Sequence, residues 1–210
     1  MNVFEHFSAY SQLPVSLEDV AAFVIGRTHF VDVIPYPVPF PPEILQGLCW
    51  QHIDKPHNSI NHHRRAWVLF SDKLTPDMTR MVVCKEILHL LDTVREQAGD
   101  RAEVAQLIDE IVQPVELKAA IQTESDNLGM VLALAVLMPA SAIDELRPLV
   151  EQDTISFDTL SKLAGVPEHY VRHAFKPQWQ DALKVIERYF QAGDEVRPAE
   201  AKAAEEASAA

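Results

Sequence analysis

The chain predicts an α+β domain dominated by helix, and three observations carry that expectation. A continuous apolar run of strand length, Ala66-Trp67-Val68-Leu69-Phe70, stands beside two weaker strand-like segments earlier in the chain. From Thr75 onward the pattern is helical, opened by Thr75-Pro76-Asp77: an N-cap, a proline at the first helical position and an acid after it. At 210 residues with 48% hydrophobic content, the chain can bury a core of one domain.

The elements follow in order. Ser16, with Glu18 and Asp19 behind it, has the form of a helix start, a capping hydroxyl with acids in the first turn. That helix should run to about Gly26 with Leu17, Val20, Ala21 and Val24 inward. Residues 30–34 suit a short strand. The prolines of Pro35-Tyr36-Pro37-Val38-Pro39-Phe40-Pro41-Pro42 then forbid a helix and favour an extended connection. A second strand is expected over residues 45–53, with Trp50 its one aromatic, and a polar, histidine-rich loop or hairpin tip over 54–65. Residues 66–70 should be the best-buried strand, with Trp67 and Phe70 as core aromatics.

The helix opened by Thr75 should reach about Arg95, so that Lys85, Glu86 and His89 lie within it. Gly99-Asp100 breaks the chain, and helices are expected over 102–112 and 115–137, the latter stopped by Pro139. Residues 141–191 read as three or four short helices. The organisation is an N-terminal arm (1–15), a main domain (16–140), a helical extension (141–192) and a low-complexity tail (193–210) that lacks core-forming residues.

Composition narrows the function. A formal charge of −13 and a pI near 5.0 count against nonspecific nucleic-acid binding, which needs clustered positive charge. The start, MNVFEHFSAYSQ, lacks the basic and apolar regions of an export signal. The longest apolar run, residues 128–138, falls short of the roughly 20 residues that span a bilayer. A cytoplasmic protein with Cys49 and Cys84 as reduced, buried thiols is expected.

The chemistry concentrates at Lys85-Glu86-Ile87-Leu88-His89. The intact pattern H-E-x-x-H sets two imidazoles one helical turn apart on zinc, with the glutamate between them as general base. Here Glu86 and His89 stand in place, and Lys85 occupies the position of the first histidine. An ammonium has no lone pair for a metal until it loses a proton, against a reference pKa of about 10.4.

Residues 124–139, Glu-Ser-Asp-Asn-Leu-Gly-Met-Val-Leu-Ala-Leu-Ala-Val-Leu-Met-Pro, supply context. With Lys-Glu-Ile-Leu-His-Leu-Leu they resemble the two signatures of the ImmA/IrrE metallopeptidase-like family, a likeness covering roughly residues 17–175. The resemblance implies a zincin-like fold. It places Asp126 at the third metal ligand, a glutamate in the family, Gly129 at a small residue, and Met130 where the family has asparagine. Active members resemble zinc endopeptidases that cleave helix-turn-helix repressors in stress or prophage responses.

The departures fall on Lys85, Asp126 and Met130, so zinc binding should be weakened or lost. The resemblance then implies a regulatory interaction module acting on a repressor or similar partner. The alternative is an active zinc endopeptidase with Glu86 as general base and non-standard ligation through His89, Asp126 and a further donor. The Lys85 ammonium offers a physical substitute for the metal, neutralising Glu86 and Asp126.

Two other clusters bear on function. His52, His57, His62 and His63 match no closed zinc spacing and read as solvated loop histidines, with His62 or His63 the better substitute ligand. Residues 156–174 carry a helix-turn-helix pattern around Gly165-Val166-Pro167. A DNA-reading helix wants exposed arginine, lysine or asparagine, and this one offers His169, Arg172 and His173, so a structural helical pair is favoured.

Overall fold

Residue 2 begins the first helix's cap, and the computed structural model describes residues 2–54, 63–91, 124–184 and 187. Helices α1 (Val3–Ser8) and α2 (Leu17–Ile25) precede strands β1 (Phe30–Val38), β2 (Gly47–Asp54) and β3 (His63–Ser71). Helix α3 (Pro76–Leu88) follows and tightens into a 3-10 turn over His89–Leu91. Helices α4 (Glu124–Leu137), α5 (Ala140–Glu151), α6 (Phe157–Ala164) and α7 (Glu168–Ala174) come next, with a last helical stretch at residues 179–184. The architecture is helix-dominated α+β with a small mixed sheet, as expected. The helices expected over 102–112 and 115–123, and the tail at 193–210, lie outside the described residues.

The segment expected to be an arm contributes to the core. Asn2 caps α1 by accepting from the Glu5 amide at 2.8 Å, and the Glu5 carboxylate accepts from the Asn2 amide at 3.0 Å. Val3, Phe7 and Val15 are buried in the main cluster, and α1 packs on α4. Six residues are too few for a stable isolated helix, so this packing holds α1 in place. Helix α2 starts as read: the Ser16 hydroxyl accepts from the Asp19 amide at 3.2 Å, and Gly26 forms the C-cap.

The strand order is β1-β3-β2, with β1 parallel and β2 antiparallel to the central β3. β1 runs four residues past the expected end, through Pro35 and Pro37, which stand opposite Val68 and Phe70. An outermost strand tolerates proline where the missing N–H would have faced away from its neighbour, and β1 is such a strand. β3 starts at His63, so the polar segment expected as loop is partly strand.

Alternation decides which β3 residues join the core. Ala66 and Val68 are buried and Phe70 packs against the core, while Trp67 points to the opposite face. There it meets Tyr36 edge-on, with ring centroids 6.0 Å apart. Trp67 is therefore not a core aromatic. The continuous apolar run suggested burial on both faces, but among the described residues α2 and α3 cover only one.

Helix α3 lies between that covered face and α4. Every residue from Met81 to Leu88 is buried, so α3 is a central helix enclosed on all sides. It ends earlier than expected, with His89 as C-cap, and the chain continues as the 3-10 turn. Pro139 stops α4 as read, and it serves as N-cap of α5. Among the described residues, no single helix is long and apolar enough to cross a membrane.

Candidate functional site

Lys85 and Glu86 are each only 5% exposed, and the Lys85 Nζ lies 2.8 Å from the Glu86 Oε1. Consecutive residues on a helix diverge by about 100°, so this pair forms only because the charged ends converge while the stems diverge. Glu86 leans toward the sheet. A Cβ added at Gly47, the first residue of β2, would come within 2.8 Å of its Oε1 and 3.0 Å of its Cγ, and would strike Val82. Lys85 leans the other way, toward α4. A Cβ at Gly129 would come within 2.8 Å of Lys85 Cγ and 3.0 Å of His89 Nε2.

The four-residue spacing of Lys85 and His89 thus brings both to one face of α3, against α4, as the sequence indicated. Gly129, the small residue of the second signature, is a point where the Lys85 and His89 side chains of α3 come close to the α4 backbone. Glycine at both positions permits backbone approach that any side chain would block. Gly47 was missed in the sequence. Its signal was a glycine at the head of a strand, a place where close backbone approach is common.

Two charges withdrawn from water cost several kcal/mol each, and mutual attraction offsets this only with good geometry. At 2.8 Å, Lys85 and Glu86 have that geometry. The helix around the pair is tightly packed. Cys84, fully buried, has its thiol pushed up to about 12 by burial, against a smaller opposing pull from Arg80. It is a buried core residue, as its sequence suggested. Arg80, one turn earlier on α3, donates from Nη2 to the Val15 carbonyl, and its side chain lies against Gly165 in the α6–α7 turn. Burial lowers its guanidinium pKa, and it ties α3 to both flanking segments.

The remaining sequence-derived candidates fall as follows. Asp126 lies on α4 three residues before Gly129, and its side chain is outside what the structure describes. His57 and His62 are outside the described residues. His52 and His63 lie on β2 and β3, with side chains likewise outside. Residues 156–174 do form a helical pair, with Gly165 left-handed at φ 63° between them. Its cations are engaged within their own helices: Lys162 with Asp158 at 2.6 Å and Arg172 with Glu168 at 2.5 Å.

A zinc ion asks for three protein donors and an open position. Among the described residues no three His, Cys, Asp or Glu side chains group to hold a metal. Of the three signature positions that the structure describes, His89 brings the one ordinary donor. The Glu86 carboxylate is taken by an ammonium, and the Lys85 stem fills the space beside Gly129. Compared with known proteins, the chain matches no family model, no curated protein and no solved structure.

Proposed function

We propose that this chain is a non-catalytic relative of the ImmA/IrrE metallopeptidase-like group, in which the Lys85 ammonium replaces the metal as counter-charge to Glu86. The observation that carries the reading is the buried 2.8 Å Lys85–Glu86 contact at two signature positions, with Gly129 of the second signature packed on the Lys85 stem. A general base must be able to take a proton from water. An ammonium held against Glu86 opposes that, and the helix keeps its place through charge pairing.

What remains is the sheet edge at β2. β1 carries Pro35 and Pro37 and cannot offer a full set of donors on its outer edge. β2 is the other outermost strand, contains no proline, and begins beside Glu86. Strand addition along β2 is the mode of binding this arrangement favours. The reading is a regulatory module that receives an extended segment of a protein partner, such as a helix-turn-helix repressor.

The test is Glu86-dependent cleavage. Purified protein supplied with zinc is incubated with an unfolded protein substrate, beside a Glu86→Gln variant checked for folding by circular dichroism. Equal background from the two is expected. Cleavage by the wild type that the variant lacks would return the chain to the working zinc endopeptidases.

A further inference from the structure

Arg80 is where two separate parts of the fold meet on α3. Its guanidinium donates from Nη2 to the carbonyl of Val15, the residue just before the N-cap of α2. Its stem lies against Gly165 in the α6–α7 turn: a Cβ there would come within 2.9 Å of the Arg80 Cδ and 3.3 Å of its Nε. Gly165 is also left-handed, so this turn favours glycine for its backbone and for the room it leaves Arg80. The Arg80 Nε is buried and has no hydrogen-bond partner among the described residues. A buried donor left unpaired is costly, so the turn confines Arg80 to a place it would leave for water if the turn moved.

The segment on the other side of Arg80 depends on its attachments. Residues 2–15 hold one helix of six residues, α1, too short to persist alone. Val3, Phe7 and Val15 anchor the segment in the core, and α1 rests on α4. We propose that this segment is a strap over α4, latched by Arg80 and released from the α6–α7 turn. Two arrangements follow from the geometry. With the turn in place, Gly165 confines the Arg80 stem, Nη2 holds the Val15 carbonyl and the strap is closed. With the turn displaced, Nε gains solvent, the Val15 carbonyl loses its donor and the strap loosens. Helix α2 stays, because Ser16 caps it independently of Arg80. Opening uncovers the part of α4 that α1 now covers, so an event at the helical pair is felt at the helix carrying Gly129. The coupling is reciprocal: an occupant that displaces α1 from α4 loosens the turn.

Hydrogen exchange of the full chain, read by mass spectrometry, tests the strap. The reporters are the amides of residues 5, 6 and 10, whose hydrogen bonds belong to α1 and its cap, and the reference is the central strand β3. Arg80→Met keeps the stem and removes the donor. It should speed exchange at the reporters at least about tenfold, the scale of a lost bond to a charged group, with β3 unchanged. Gly165→Asn tolerates the left-handed backbone but pushes on the stem. It should speed the reporters in the wild-type background and add nothing to Arg80→Ala. Reporters unchanged in Arg80→Met overturn the latch. Equal acceleration at the reporters and β3 makes Arg80 a general stabiliser, which also overturns it. A full further acceleration by Gly165→Asn on top of Arg80→Ala overturns release from the turn.

Discussion

The Lys85 Nζ and the Glu86 Oε1 are 2.8 Å apart, between chain neighbours that are both buried in the C-terminal half of α3. The pair is costly to assemble and costlier to break. Removing one partner leaves an uncompensated charge, whereas replacing both with apolar groups of similar volume is often neutral. Lys85→Met or Glu86→Leu alone should therefore lose about 3–5 kcal/mol in urea unfolding. The double variant should recover most of that loss. Additive losses in the cycle would show that the two side chains do not act as a pair.

The glycines are matched to this pair. Gly129→Ala gains up to about 1 kcal/mol of helix propensity but must push against Lys85 and His89. Gly47→Ala has no such compensation and meets both Val82 and Glu86. Each should destabilise, Gly47→Ala the more, by about 1–3 kcal/mol. Thermal melting of the two variants checks the order.

Alkaline stability follows from Cys84. Burial holds its thiol protonated up to about 12 in the folded chain, against an ordinary value of 9.0 when unfolded. Between those values the unfolded state binds fewer protons than the folded one, so stability falls as pH rises from 9 and levels off near 12. At pH 10.5 this contribution is about 2 kcal/mol. Tyr170, pushed up to about 12 by burial, adds a loss of the same sign above pH 10. Urea midpoints at pH 8 and 10.5 should fall less for Cys84→Ala than for wild type.

The helical pair of residues 156–174 should not read DNA. Its cations Lys162 and Arg172 are paired within their helices, on a chain of formal charge −13. Anisotropy with a labelled duplex at physiological salt should show no binding tighter than about 10⁻⁴ M, the weak end of nonspecific affinity. Salt-dependent micromolar binding would assign this pair a different role.

Much of the framework was legible because local chemistry agreed with tertiary context. Ser16, Thr75 and Pro139 mark helix boundaries that the fold keeps, and the spacing of Lys85 and His89 placed them on one face. Other features depended on neighbours that a single sequence does not display. Pro35 and Pro37 look like strand breakers until β1 proves to be outermost, and Trp67 looks buried until it proves to lie on the face opposite Ala66 and Val68. Gly47 is far from Glu86 along the chain, so only the packing of β2 on α3 joins them. The direct Lys85–Glu86 pair ran against the rule that consecutive helical residues diverge, and it arises because α3 is enclosed on every side.

The account rests on an ammonium standing where a metal-binding imidazole would be. Elemental analysis of protein purified from zinc-replete cells tests this most directly, with Lys85→His prepared in parallel. The account predicts far less than one zinc per wild-type chain, rising toward one in Lys85→His. One zinc per wild-type chain would contradict it.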